Sequence, residues 1–288
     1  MKRITVIGVP LLAGNLSSYL LQIADTAMCG RLGQEPLAAI AIATMVGGIL
    51  STFVWPIAVG TQAIAARRYG RQNASSRFGD PALARETGEV LVHGIMAGIG
   101  SAVLALLASL LVPAVLRLLL SDTAIIDLAW SYIAVYRWNL PLLGFAVGVS
   151  GFLSAVHKTK AIMVSNILGN IVNIFFNYLL IFGKWGFPQM GIRGAAVGTV
   201  IAQGISSLWL LFPLLPGDIR ATYRFLALGA DGKINADLLF RICKAGFPPG
   251  IQNIIALFIF LVYESLVGTL GTVYLAATHI VFSAFRIN

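Results

Sequence analysis

The chain has 288 residues, of which 58% are hydrophobic and 11% are charged, and its mean hydropathy is +0.87. This composition excludes an ordinary soluble protein and indicates a polytopic helical membrane protein. The formal net charge of +9 does not indicate a nucleic-acid partner, because the basic residues lie between apolar runs and mostly on one side of the membrane.

Seven apolar runs are each long enough to cross a hydrocarbon layer of about 30 Å as a helix. They cover roughly residues 4–30, 37–65, 88–120, 125–156, 161–183, 190–216 and 245–270, and an eighth begins at 273. With the amino terminus in the cytoplasm, 15 of the 20 Lys and Arg residues fall in cytoplasmic segments. The positive-inside rule therefore predicts a multi-pass protein of the plasma or bacterial inner membrane with a cytoplasmic amino terminus.

A long basic stretch between the sixth and seventh runs divides the chain. We predict an all-α membrane protein with a complete six-helix lobe at residues 1–216, a cytoplasmic linker at 217–244 and the start of a second lobe at 245–288. The lipid bilayer is the expected partner of the outward apolar faces.

One carboxylate, Asp25, lies near the far end of the first apolar run. Asn15, Ser18, Gln22 and Asp25 are spaced by 3, 4 and 3 residues, so they share one stripe of a helix. A carboxylate in the hydrocarbon region is costly and commonly marks an ion or substrate pathway. We take Asp25 and Gln22 as candidate residues of such a pathway; the alternative is that Asp25 is solvated near the outer interface.

Four asparagines form a second polar stripe, in the fifth run. Asn166, Asn170, Asn173 and Asn177 step by 4, 3 and 4 residues and therefore share one helix face. Asparagine carbonyls are hard oxygen donors that, with a carboxylate, can bind a small cation or hold a water chain. The alternative is interhelical hydrogen bonding, at about 0.6 kcal/mol per bond. We predict a site at this stripe.

Other polar residues interrupt the later runs. Thr199, Gln203 and Ser206 share one face of the sixth run. Arg137 lies in the middle of the fourth run, where it either snorkels or meets a carboxylate or a substrate anion, and we favour a partner inside the bundle. Glu264, in the seventh run, is either a second proton or cation site or an interfacial residue.

Glycines at helical spacing occur in the third and fourth runs. Gly94 and Gly98 form one GxxxG pair, and Gly144 and Gly148 form another. Such pairs let two helices approach closely, so we predict a packing role for them.

The chain contains an internal repeat, which appears when each residue is compared with the residue 238 positions later. The matches include Gly8 with Gly246, Pro10 with Pro248, Asn15 with Asn253 and residues 37–39 with 275–277. Both copies run in the same direction, which predicts a parallel repeat whose substrate binds between the halves. The chain ends inside the second copy, after about eight of twelve helices, so we expect a partial sequence or a truncated product.

Three segments resemble the MATE family, the multidrug and toxic compound extrusion transporters. They are DTAMCGRLG at 25–33 with LAA at 37–39, GIRGAA at 191–196, and the repeat at 271–280. The resemblance implies twelve helices in two lobes, alternating access and export of small organic cations in exchange for H⁺ or Na⁺. It implies no cofactor, and we expect the full-length protein to be monomeric.

The resemblance also implies roles for individual residues. Asp25 matches the ion-coupling aspartate of the first helix, and Asn173 matches an asparagine of the same site, so these two residues are the candidates for a Na⁺ ion. Asn177 stands where some DinF-like members have a second aspartate, which leaves H⁺ and Na⁺ both open. Thr199 resembles a hydroxyl residue near that site. Ala256 stands where NorM-like members carry a glutamate.

Two other functions compete with drug export. A lipid-linked oligosaccharide flippase of the same wider superfamily would need several cations in its cavity, whereas only Arg137 qualifies. A membrane fragment that transports nothing is the second alternative. An enzyme is not expected, because the sequence has no constellation of nucleophile, base or metal ligands.

Overall fold

A computed structural model describes residues 27–74, 81–215 and 234–270, together with residues 14, 16, 17, 21, 24, 25 and 223. For residues 81, 257, 260, 261, 264, 265 and 268–270 it describes the backbone alone. All regular elements in these residues are helical, so the predicted all-α fold class is confirmed.

The described residues between 14 and 30 are helical, and we call this stretch the amino-terminal segment. Nine α-helices follow in the described part of the chain. They are α1 (Gln34–Thr52), α2 (Pro56–Ala74), α3 (Pro81–Ala108), α4 (Val112–Leu119), α5 (Thr123–Tyr136), α6 (Asn139–Ala155), α7 (Thr159–Phe182), α8 (Ile192–Trp209) and α9 (Ala236–Leu270).

Three of the apolar runs are divided into two helices where the sequence predicted one. The breaks lie between α1 and α2, between α3 and α4, and between α5 and α6. Each break coincides with the residue four positions before a proline, respectively Pro56, Pro113 and Pro141. Proline has no N–H to donate to that carbonyl, and its ring collides with it, so the helix is interrupted there. The third break bends α5 against α6 by 45°.

Four spans in the described residues are long and apolar enough to cross a membrane, and the bent α5–α6 pair makes a fifth. Many large apolar side chains point outward, among them Leu104, Leu118 and Phe258. In water such exposure would be unfavourable, whereas in a bilayer these side chains contact the lipid chains. The chain is therefore a multi-pass membrane protein.

The predicted packing role of the two GxxxG pairs is confirmed at the contact of α3 with α6. A Cβ added to Gly98 would collide with the carbonyl oxygen of Gly144, and one added to Gly148 would lie 2.6 Å from Ile95 Cα. These distances are shorter than van der Waals contact, so only glycine permits this approach of the two backbones.

The helix α9 begins at Ala236 and therefore includes residues 236–244, which the sequence analysis assigned to the linker. It packs against α2. Before it, Tyr223 contacts Phe152 edge to face, with ring centroids 5.5 Å apart. The division into two lobes stays a prediction.

Candidate functional site

The amino-terminal segment lies alongside α7, and polar side chains join the two. Asn170 Nδ2 donates to Ser17 Oγ at 2.7 Å, and Asn177 Nδ2 donates to Asp25 Oδ1 at 2.8 Å. Residue numbers increase together along both helices, so the helices run parallel, as the predicted topology requires for the first and fifth spans.

A chain of hydrogen bonds connects Asp25 with α7 and α8. Asn177 Nδ2 donates to Asp25 and also to Asn173 Oδ1, at 2.7 Å. Asn173 Nδ2 in turn donates to Thr199 Oγ1 at 3.1 Å, and the Thr199 hydroxyl donates to the Ala195 carbonyl at 2.9 Å. The structure thus brings together Asp25, two asparagines of the predicted stripe and Thr199, which the family resemblance also places at one site.

Asp25 has a neutral amide as its partner, and in the described residues no Lys, Arg or His forms an ion pair with it. The side chains of Asn173 and Asn177 are buried. A carboxylate without a cationic partner in such surroundings is unfavourable, so a proton or a small cation has a reason to bind there.

Asn177 Oδ1 is buried and has no hydrogen-bond partner among the described residues. It lies against Gly198 of α8, where an added Cβ would collide with it. The glycine therefore makes room for the amide that contacts Asp25. An unpaired carbonyl oxygen beside a carboxylate partner is a hard donor available to a cation or a water molecule.

A cavity of about 270 Å³, whose wall combines apolar side chains with uncharged polar ones, adjoins this hydrogen-bond chain. Asn173 and Thr199 line it together with Trp55, Gln203 and other residues of α6, α7 and α8, none of them charged. The predicted faces of the fifth and sixth runs thus meet at one cavity, since Asn166, Asn170 and Ser206 also line it. Asp25 reaches this cavity through Asn177 and Asn173.

Two tyrosines next to the site were not predicted from the sequence. Tyr132 is buried on α5, close enough to interact with Asp25 and Thr199, and its ring stacks on Tyr136 with centroids 5.7 Å apart. The Tyr136 hydroxyl lies 3.2 Å from Ser51 Oγ on α1. The spacing of four residues between the tyrosines was the available signal, because it places both rings on one helix face.

Arg137 lies away from the cavity, at the bend between α5 and α6. Its guanidinium carbon is 5.8 Å from the ring centroids of both Trp130 and Trp138, a cation–π arrangement. In the described residues Arg137 makes no ion pair, so of the two partners considered inside the bundle, a carboxylate or a substrate anion, the carboxylate is absent there. The fourth run bends at Arg137, so this residue does not lie at the centre of one straight helix.

Three other candidate residues take no part in the hydrogen-bond chain as described. Gln22 and the side chain of Glu264 lie outside the described residues. Gln203 lines the cavity, and its Nε2 lies 3.4 Å from Ser207 Oγ. No cluster of three His, Cys, Asp or Glu side chains that could hold a metal occurs in the described parts of the chain.

The MatE family model matches residues 10–179. A protein of Synechocystis named "Probable multidrug resistance protein NorM" is 30% identical over 278 residues, which are 96% of this chain and 57% of the relative. A protein of the same name from Agrobacterium fabrum is 28% identical over 277 residues, with the same shares. The chain thus spans less than two thirds of the length of these curated relatives.

Solved transporter structures share the fold. An outward-facing multidrug resistance MATE family transporter matches with a TM-score of 0.81 at 20% identity, over 99% of this chain and 61% of that chain. A MOP superfamily transporter from Pyrococcus furiosus also gives 0.81 at 20% identity, over 99% and 60%. The family model covers more than half of this sequence, and the resemblance of the first-helix motif is confirmed. The chain belongs to the MatE family.

Proposed function

We propose that this chain forms part of a secondary active transporter that exports cationic or amphiphilic organic compounds in exchange for H⁺ or Na⁺. The observation that supports it most directly is the hydrogen-bond chain from Asp25 through Asn177 and Asn173 to Thr199, beside an uncharged cavity. It joins the carboxylate of the amino-terminal segment to two other helices, α7 and α8, so a change at Asp25 alters the contacts among three helices.

The ion acts, in this proposal, by competing with the hydrogen bond that Asn177 donates to Asp25. A proton on the carboxylate removes the negative charge, so Asp25 becomes a weaker acceptor for the hydrogen bond from Asn177. A Na⁺ ion would use the oxygens of Asp25 and Asn173, and Asn173 Oδ1 must then give up the bond from Asn177. In either case a hydrogen bond between the amino-terminal segment and α7 is weakened or lost. The segment can then shift, which links ion entry to release of the substrate.

The cavity lining favours a cationic substrate over an anionic one. Trp55 offers an aromatic face, and amides and hydroxyls supply most of the other polar groups. A flippase for a lipid-linked oligosaccharide would need cations for the diphosphate, whereas no Lys or Arg lines this cavity and Arg137 lies between two indole rings. The MatE relatives named for multidrug resistance support the same choice.

A dye-efflux assay with cells that express the full-length gene tests the proposal. We expect faster loss of an accumulated cationic dye than from cells with an empty vector. We expect the efflux to stop either when a protonophore collapses the pH gradient or when Na⁺ is removed, and the effective treatment identifies the ion. Efflux that persists without both gradients would contradict the proposal.

Gly198→Ala tests the contact between Asn177 and Asp25 without changing a polar group. The new methyl group collides with Asn177 Oδ1, so the amide must rotate and its bonds to Asp25 and Asn173 are strained or lost. We expect the initial efflux rate to fall several-fold, since a displaced polar partner typically costs about 1–3 kcal/mol.

The matched control for this variant is Gly204→Ala on the same helix. An added Cβ there lies 3.8 Å from Leu142 Cδ1, an ordinary contact, so efflux should stay near the wild-type rate. Equal efflux by the Gly198→Ala and wild-type proteins, at equal expression, would show that the position of Asn177 is unimportant.

A further inference from the structure

A second cleft lies between α2 and α9, and it is strongly basic. It has a volume of about 400 Å³ and is lined by Arg67, Arg68, Arg71, Arg241 and Lys244, with apolar residues at its base. No acidic residue lines it. A cleft whose charged lining residues are all basic does not suit a cation, so it is not part of the proposed cation pathway.

Close packing of the two helices shapes the cleft. A Cβ on Gly60 would collide with the Ile242 carbonyl oxygen, and one on Gly246 would collide with the Pro56 carbonyl oxygen. The backbones therefore meet at these glycines and hold the basic side chains of both helices at one opening. Leu238 and Ile242 are buried beneath it. The cleft is thus a feature of the α2–α9 contact and not a run of solvated residues on one helix.

Some of the charge in the cleft is already balanced. Arg68 lies 3.7 Å from Glu89, and Arg241 lies 2.7 Å from Asp237. Arg71 likewise lies 3.8 Å from Glu86.

The remaining two cations, Arg67 and Lys244, are exposed and have no ion pair in the described residues. Arg68 also lies close enough to Arg71 and Arg241 to be repelled by both. An anion in the cleft would relieve this repulsion and join α2 to α9.

We propose that this cleft binds a phosphate-bearing anion, and that the headgroup of an anionic phospholipid is its ligand. Guanidinium groups bind phosphate oxygens in pairs, and an ammonium group adds a point charge. The carboxyl end of α2 and the amino end of α9 form the cleft, at the end of a membrane span, where lipid headgroups lie. Basic pockets between helices at this level bind phosphate headgroups.

Thermal unfolding of the 288-residue chain in an uncharged detergent tests this site, with phosphatidylglycerol, phosphatidylcholine or inorganic phosphate as the added probe. Binding to the folded state raises the melting temperature, and the dose dependence gives an apparent affinity. We expect phosphatidylglycerol to stabilise the wild-type chain and phosphatidylcholine to have no comparable effect.

The double variant Arg67→Gln/Lys244→Gln should bind phosphatidylglycerol about 30-fold more weakly, which corresponds to about 1 kcal/mol for each cation removed. Neither side chain is buried, so the variant should fold. The charge-preserving variant Arg67→Lys/Lys244→Arg should retain most of the affinity.

The matched control is Lys184→Gln/Arg193→Gln, which removes two exposed cations, one just after α7 and one in the first turn of α8, at the opposite end of the spans. Its affinity should equal that of the wild-type chain. Stabilisation by inorganic phosphate that is lost only in the cleft variant would support the phosphate site and assign it a soluble ligand. Three results would overturn the proposal. They are equal stabilisation of the wild-type chain and the cleft variant, a loss of affinity in the control as large as that in the cleft variant, and no stabilisation by any probe.

Discussion

Asp25→Asn is expected to reduce dye efflux from cells expressing the full-length gene to the level of cells with an empty vector. Asparagine has nearly the same shape, and its side-chain oxygen can still accept the bond that Asn177 donates. The variant should therefore fold and reach the membrane in normal amounts. It loses the charge that a proton or Na⁺ would neutralise, so ion binding can no longer drive the cycle.

The matched control is Asp127→Asn, which removes an exposed carboxylate from α5. Its efflux should equal that of the wild-type protein, because Asp127 has no part in the proposed site. Immunoblots of isolated membranes establish equal amounts of each variant. Undiminished efflux by Asp25→Asn would place the coupling site elsewhere, and Glu264 would be the next residue to test.

Gly98→Ala is expected to destabilise the protein by about 3 kcal/mol, at the upper end of the usual range for an added methyl group in a packed interior. The methyl group collides with the Gly144 carbonyl oxygen, which belongs to the backbone of α6 and has no rotamer that would move it away. The α3 and α6 helices must therefore separate, and the packing around them loosens. A lower melting temperature of the purified chain measures the effect.

Gly100→Ala, two residues along the same helix, is the control for this change. An added Cβ at Gly100 meets no atom within 4 Å. Alanine also has the higher helix propensity, so this variant should be as stable as the wild-type protein or slightly more stable. Equal melting temperatures of the two variants would contradict the close packing of α3 on α6.

The polar stripes were predictable because helix periodicity alone fixes which residues share a face. Spacings of three and four residues placed Asn173 and Asn177 together, and the first-helix motif singled out Asp25. That these residues contact one another and Thr199 depends on contacts between helices far apart in the sequence. Helix periodicity does not determine those contacts, although the family resemblance anticipated this one.

The breaks within the membrane spans were not predictable from the positions of the prolines alone. Pro56 and Pro141 were visible in the sequence, but proline in a membrane helix can be tolerated where neighbours satisfy the freed carbonyl. The tandem prolines Pro248 and Pro249 lie inside the continuous helix α9. Whether a proline ends a helix is thus decided by its surroundings, which one sequence does not give.

The basic cleft between α2 and α9 was only partly predictable. Arg67, Arg68 and Arg71 lie close together in the sequence, and the stretch between the sixth and seventh runs is visibly basic. Arg241 and Lys244 complete the cleft because α9 begins at Ala236, earlier than the apolar run suggested. Asn235 caps that start, because its Oδ1 accepts a hydrogen bond from the Leu238 backbone N–H.

Ion movement in proteoliposomes that contain the purified full-length protein tests the central claim, the coupling role of Asp25, most directly. The external addition of a cationic substrate to vesicles should cause a counterflow of H⁺, followed with a pH-sensitive dye, or of Na⁺, followed with a radioactive tracer. We expect this flow with the wild-type protein and the Asp127→Asn variant, and none above empty vesicles with Asp25→Asn. Substrate-dependent ion flow at the wild-type rate through Asp25→Asn would contradict the claim.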